Sequence, residues 1–379
     1  MRCGPCRLHC RARVNLRHWP RATSPASAKQ NGYWQPSGGL SLSKSVNGVS
    51  GHRCGARLVG AFAAVGVLLT HALSFPDAAT AAITIETARF VTNVVPNTGN
   101  DRPVMLEARL FLPSAPALPT PAVVITPSSG GIRFEREIYY AEELAGSGIA
   151  ALLIDSFGSR GVSNSMLDQR LLTRWEAAND AIAGLRWLNG DARFRKDRIG
   201  VLGVSKGGIV ALDTALPVRR RWMRVRDVAF AAHVAIVPGC TWVNKSVETT
   251  GAPIFFMLAE LDDIAPAKPC LQRAQMLKAA GNSGIEVKVY KGAHHAWEAL
   301  GPQPVYNAGM ENYAKCRVML ADDGRMISLS DGRVIARTDW HDWARRSCLT
   351  RGGHCCGGTL ETKRRATDDL ITFLKRHGF

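Results

Sequence analysis

The chain has 379 residues, 46% of them hydrophobic, with 48 Lys/Arg against 31 Asp/Glu and a formal charge of +17. The positive excess does not mark a nucleic-acid module, because residues 1–57 alone hold ten Lys/Arg and no Asp/Glu, and from residue 83 onward the balance is 38 against 30. A net +8 favours anionic substrates or envelope surfaces and says nothing about fold. No His/Cys spacing matches a zinc site, and no internal repeat is apparent.

In chain order, residues 1–57 read as a basic, unstructured lead rich in Ser, Gly and Pro. Residues 58–82 read as a signal peptide: an apolar core behind Arg53 and Arg57, then Ala79-Thr80-Ala81 before Ala82. Small-x-small is a cleavage pattern, and the apolar run is short and interrupted for a membrane span. The expected product is periplasmic or secreted, with no stable span in the mature form. A signal core belongs at the start of a chain, so we expect translation to begin nearer Val46 or Val49; N-terminal sequencing of the precursor checks this.

The rest, 83–379, reads as one domain. Strands are expected at 104–112, 122–126, 149–154, 199–204, 231–237, 253–258 and 285–290. Helices are expected at 135–146, 167–188, 207–216, 266–280 and 363–377. Alternation of the two predicts an α/β fold with a mostly parallel sheet and helices on both faces. The central strands are nearly all apolar, as doubly covered strands should be.

The chemistry sits at strand ends. The run 199–204 meets Gly203-Val204-Ser205-Lys206-Gly207 and then a helical segment. Gly-x-Ser-x-Gly between strand and helix is the pattern of a nucleophile elbow, whose serine projects from the sheet edge. An acid and a histidine must follow in that order. Leu261-Asp262-Asp263 ends the strand at 253–258, and Ala293-His294-His295-Ala296-Trp297 follows the strand at 285–290. A serine hydroxyl needs an imidazole to take its proton, and a carboxylate must hold that imidazole in the right tautomer. At this level Asp262 or Asp263, and His294 or His295, remain open.

These motifs, with Asp155-Ser156-Phe157-Gly158 after the strand at 149–154, resemble the dienelactone hydrolase family of the α/β-hydrolase fold. The resemblance covers roughly 122–298. It implies Ser205, Asp262 and His295 as the catalytic triad, because the family's acid precedes a short spacer and proline and its histidine precedes a small residue and an aromatic. It implies an oxyanion hole from the N–H groups of Ser129 and Lys206, with the Lys206 side chain expected in solvent. There are two departures. Founding members use cysteine as nucleophile where this chain has Ser205, which leans toward ordinary ester chemistry. The loop Pro127-Ser128-Ser129-Gly130-Gly131 also stands where relatives carry His-Gly-x-Gly-Gly.

The expected activity is therefore an exported serine hydrolase acting on a small-molecule ester or lactone without a cofactor or metal. A peptidase, an acyltransferase or a non-catalytic binding protein on the same fold is the alternative. Arg160 is a candidate for a substrate carboxylate, or else pairs with an acid such as Asp155. Trp297 is a candidate pocket wall, or else core.

Six cysteines follow residue 83. An even number in an exported chain suggests disulfides. We expect Cys240–Cys270, joining loops at the active-site end, and Cys316–Cys348, bracketing an insert at about 301–358; Cys355 and Cys356 stay open. The insert breaks the β/α rhythm, has two Asp-Gly-Arg turns and reads as a small hairpin near 327–329. It is expected over the pocket or on its rim. Trp340-His341-Asp342-Trp343 reads as a helix turn packed by its tryptophans rather than a ligand box.

Overall fold

The structure, a computed structural model, describes residues 83–92, 102–301 and 304–379. The basic lead and the signal-like segment lie outside the described residues. Nine strands lead up to the insert: β1 Thr84–Val91, β2 Met105–Leu112, β3 Thr120–Thr126, β4 Ala150–Asp155, β5 Phe194–Val204, β6 His233–Ile236, β7 Trp242–Asn244, β8 Ile254–Ala259 and β9 Ile285–Tyr290. All but β7 form one sheet in the order β1-β2-β4-β3-β5-β6-β8-β9. From β4 to β9 every pairing is parallel; β1 and β2 add an antiparallel edge. This is the architecture of an α/β-hydrolase.

Side-chain alternation along β3 shows how the sheet is covered. Ala122 and Val124 point into one core, Val123 and Ile125 into the other. The first core is closed by α2 (Arg174–Gly190), α3 (Lys206–Thr214) and α5 (Ala267–Ala279). The second is closed by α1 (Tyr139–Gly146) and α7 (Leu360–Arg376). A period-two strand buried on both faces must be apolar at every position, and all four of these residues are fully buried.

Boundaries differ from the sequence reading for local reasons. Helix α2 starts at Arg174, not 167, because Thr173 and Glu176 form a capping box: each side chain accepts a backbone N–H of the other residue. The residues before it include only a short turn, Gln169–Leu171. Strand β1 was not anticipated. Of its residues only Ala88 and Phe90 are buried, so it carries little hydrophobic pattern and is held by its ladder to β2. A short helix, α4 (Pro217–Trp222), was also missed.

The insert contains β10 Val305–Tyr306, β11 Glu311–Asn312, β12 Val318–Leu320, β13 Met326–Ser328, β14 Val334–Ile335, α6 Trp340–Ser347, β15 Thr350–Arg351 and β16 His354–Cys355. The hairpin expected near 327–329 is β12–β13, closed by a turn in which Asp323 accepts the Arg325 N–H. It widens into a four-stranded sheet, β14-β13-β12-β7. Beneath lies a separate core of Trp175, Trp242, Val318, Met326, Trp340 and Trp343 with their neighbours. Both tryptophans of the 340–343 cluster are buried there, on α6.

Disulfides Cys240–Cys270 and Cys316–Cys348 are present. The ends of the insert are stitched together: Gly301 N–H donates to Gly358 O, and Gly357 and Gly358 N–H both donate to Ala299 O. A Cβ on Gly358 would overlap the Trp297 backbone, so only glycine fits this seam. No described helix is long and apolar enough to cross a membrane.

Candidate active site

Strand β5 delivers Ser205 to the sheet edge with φ 55° and ψ −112°. This is a strained backbone for a residue with a Cβ, worth about 1–3 kcal/mol, and such strain persists only where the surroundings enforce it. Here they do. A Cβ on Gly203 would overlap Gly207, and one on Gly207 would overlap the Thr126 carbonyl, so the turn closes only on hydrogen atoms. Ser205 N–H donates to Ile236 O at 2.8 Å, and the Thr126 hydroxyl donates to the carbonyls of Leu202 and Gly207.

Asp262 follows β8 and His295 follows β9; both are buried. Asp262 Oδ2 lies 2.7 Å from His295 Nδ1. Asp262 Oδ1 accepts the N–H groups of Ile264 and Ala265 at 2.9 and 2.7 Å, which fixes the carboxylate. Burial would push the His295 imidazolium down, but the Asp262 charge and hydrogen bond outweigh it and hold its pKa above the usual histidine value. Burial works against the Asp262 carboxylate too, and His295 with the two N–H groups holds its pKa below the usual range.

The rival residues are differently engaged. Asp263 turns away and binds the backbone N–H and Nδ1 of His354 at 2.8 and 2.7 Å. His294 is not among the residues lining the cavity that contains Ser205 and His295.

That cavity has a volume of about 520 Å³. Ser129 and Lys206 both line it. Lys206 opens α3, and the N–H of a first helical residue has no acceptor within its helix. The Ser129 loop is braced from below. The buried Glu137 carboxylate accepts the N–H groups of Ser128 and Arg133 at 3.1 and 2.9 Å and pairs with Arg136 at 2.8 Å. Ser165 N–H donates to Ser129 O at 2.8 Å, and Ser129 Oγ donates to Gln169 Oε1 at 3.0 Å. Gly131 has φ 74° and its missing Cβ leaves room for the Ser163 carbonyl.

One expectation needs correction, that for Lys206, and for Arg160 and Trp297 the substrate-binding alternative falls to the other one left open. The Lys206 side chain is buried, not solvated. Its Nζ donates to Ser165 Oγ at 2.7 Å and to the Leu172 carbonyl. Burial lowers its pKa to about 7, against the pull of Glu176, Glu311 and Asp168. Arg160 does not line the cavity. Its guanidinium grips buried Asp180 with bonds of 2.8 and 2.9 Å and also donates to Ser156 O, so no fork is left for a substrate. Asp155, the acid expected beside it, instead caps the next turn by accepting from Phe157 and Gly158 N–H. Trp297 is fully buried core, packed against Tyr290 with ring centres 5.0 Å apart.

Other wall residues went unread in the sequence. The insert lies over the cavity and supplies Glu311, Tyr313, Arg337, Trp340, His341, Cys355 and Cys356. Arg174 lies over the Trp242 ring at 4.3 Å and pairs with buried Asp213. Arg133, Arg136, Arg170, Arg174 and Arg337 also line the space, against Glu135, Glu311 and Asp342. These basic residues are scattered from 133 to 337, and only the fold collects them; the one local signal was the Thr173–Glu176 capping box that places Arg174. Among the described residues no cluster of His, Cys, Asp and Glu could hold a metal ion.

This chain is similar to known proteins over part of its length. A Bradyrhizobium protein described as "Probable 2-oxo-3-(5-oxofuran-2-ylidene)propanoate lactonase" is 30% identical over 190 residues, 47% of this chain and 73% of that protein. A Thermogutta terrifontis esterase structure covers 56% of this chain and 85% of its own, at 18% identity and TM-score 0.41. A Pyrococcus furiosus esterase covers 56% and 85%, at 16% identity and TM-score 0.42. The dienelactone hydrolase family model matches residues 106–321. That span runs from β2 through the elbow, Asp262 and His295 into β12, more than half of the chain, and the protein therefore belongs to the dienelactone hydrolase family.

Proposed function

We propose that this protein is a serine hydrolase that opens a carboxylic ester or lactone through an acyl-enzyme. The observation that carries the reading is the buried 2.7 Å contact of His295 with Asp262, on the same cavity as strained Ser205. Ser205 Oγ attacks the carbonyl carbon and His295 Nε2 takes its proton. Asp262 holds the imidazole with Nε2 unprotonated and stabilises the imidazolium that follows. The N–H groups of Ser129 and Lys206 hold the oxyanion; one such donor is worth about 2.7–4 kcal/mol. His295 returns the proton to the leaving oxygen, which in a lactone stays tethered to the acyl group. Water then enters by the same route and frees Ser205. Every proton and electron pair balances without a cofactor.

The preferred substrate carries a carboxylate. Arg136, Arg170 and Arg174 on the wall are already held by Glu137, Asp168 and Asp213, so Arg133 and Arg337 are the wall cations that favour an anion, and the Bradyrhizobium relative is described as a propanoate lactonase.

The reading extends to export, with residues 58–82 removed near Ala81. The segment's composition and two disulfides in the domain support it. Cell fractionation with N-terminal sequencing tests this part alone.

For the catalytic part, a fluorophosphonate probe should label Ser205 in wild type and not in Ser205→Ala. Full esterase activity in Ser205→Ala would end the assignment.

A further inference from the structure

Two cysteines are free among the described residues, and they are sequence neighbours, Cys355 and Cys356. Both are half-buried and line the cavity that Ser205 and His295 share. Their sulfurs lie 3.1 Å apart, the Cys356 thiol donating to Cys355 Sγ. The main chain ties the pair to His295. Cys355 forms a parallel bridge with His295, and Cys356 N–H donates to the His295 carbonyl at 2.8 Å. Cys356 has φ 71° and Gly357 φ 76°, so the segment is bent at the pair itself.

We propose that Cys355–Cys356 is a redox-active dithiol in the cavity wall that reacts with small disulfides, closes on itself, and in closing lowers turnover by moving His295. The last clause rests on the catalytic reading of His295; the thiol chemistry does not.

The exchange balances with an external disulfide as oxidant. The Cys355 thiolate attacks one sulfur of that disulfide and expels the other as a thiolate, leaving a mixed disulfide on Cys355. Cys356 then gives its proton to solvent, attacks Cys355 Sγ and expels the second thiolate. Two cysteine thiols are oxidised to one disulfide, and one external disulfide is reduced to two thiols.

Cys355 is placed to attack first. The hydrogen bond from Cys356 lowers its pKa to about 6; burial opposes this, and His295 and Arg136 add to it. The same hydrogen bond raises Cys356 and keeps it a thiol. Once Cys355 carries a mixed disulfide, that restraint on Cys356 is gone.

The closed ring would be labile. Adjacent Cα atoms are about 3.8 Å apart, below the ~4.4 Å lower end for ordinary disulfides, and strained disulfides are the easily reduced ones. The pair therefore works as a reversible switch rather than a staple. Closure twists the 355–356 peptide, whose N–H is the group bound to His295.

The test equilibrates the full-length chain with excess oxidised glutathione, then alkylates it with iodoacetamide and maps peptides. Mapping separates this pair from Cys3, Cys6, Cys10 and Cys54. Loss of alkylation at both Cys355 and Cys356, with loss of two hydrogens from their peptide and recovery in dithiothreitol, is the expected result. Cys356→Ser should stop at a glutathione adduct on Cys355. Turnover of an activated ester should fall roughly tenfold to a hundredfold on oxidation and recover on reduction. Whatever turnover the Cys355→Ala/Cys356→Ala protein has should not respond to glutathione. Two thiols that stay alkylatable overturn the proposal, as does a wild-type glutathione adduct that never resolves. A ring that forms while turnover and fluorophosphonate labelling stay unchanged overturns the link to His295. Failure of labelling in the reduced protein sinks the catalytic reading instead, and leaves the mass result standing.

Discussion

The sheet edge and the insert build one cavity by opposite means. At the edge, Ser205, Asp262 and the Ser129 loop hang from strands that are buried on both faces and locked in parallel register. Their positions follow from contacts too tight for any substituent, as at Gly203 and Gly207. The insert has strands of two or three residues, packs its tryptophans against Trp175 and Trp242 from outside it, and is held by the disulfide Cys316–Cys348. Ladders that short do not stand alone. The edge is rigid because it cannot be packed otherwise; the insert is rigid because it is stapled. The proposed chemistry sits on the first and most of the distinctive wall on the second.

The sharpest break in this comparison is between neighbouring acids. Asp262→Asn should keep the fold and lower kcat by about 10⁴, by favouring the wrong imidazole tautomer, while Asp263→Asn should leave kcat within a few fold, because its partner is His354. Steady-state kinetics on an activated ester reads both. Equal losses would mean the acid has been misassigned.

Next in size is the buried pair under the edge. Arg160→Leu strands the Asp180 charge and should cost about 3–5 kcal/mol of stability in a denaturant melt. The folded fraction should keep its KM, since the guanidinium has no free fork. A raised KM with unchanged stability would return Arg160 to the substrate.

On the insert side, the double change Cys316→Ala/Cys348→Ala opens a loop with a sequence separation of 32. A disulfide of that span is worth about 3–4 kcal/mol. Limited proteolysis should cut first within 304–350, and KM should rise more than kcat falls. Cutting in the sheet domain first would show that the two regions are not separately held.

The smallest effects are in pH. The base must be neutral, and Asp262 holds the His295 pKa above the ordinary value. The acid limb of kcat/KM should therefore lie above the ordinary histidine range, with activity lost as pH falls through it. Lys206 gives a stability slope of the other kind. Its folded pKa, about 7, is below the ordinary lysine range, so between the two the unfolded chain binds the extra proton. Stability should rise with pH from about 7 upward, and Lys206→Met should flatten that rise.

What could be read without coordinates divides along the same line. The elbow, the acid and the histidine are short motifs at the ends of apolar runs, and local pattern is enough to place them. Choosing Asp262 over Asp263 needed the resemblance, since both follow the same strand. Lys206 was misread because its neighbours on the elbow carry no sign that Ser165 and Leu172, from a distant loop, close over it. The partner of Arg160 was not legible because it lies twenty residues on, across a helix start that the capping box marked and the hydrophobic pattern overran. The wall of arginines and tryptophans has no signature along the chain; it exists only after the insert folds back.

The seam at Ala299, Gly301 and Gly358 has a consequence for how such an enzyme changes. The insert leaves and re-enters the chain at touching points. Lengthening or shortening a loop whose ends already meet costs little, about 0.6 kcal/mol per doubling by chain entropy. The sheet never feels its length. Descendants of this chain can therefore vary the cavity roof in length, with the glycine at 358 and the bonds of the 355–356 segment to His295 as the joints that have to be kept.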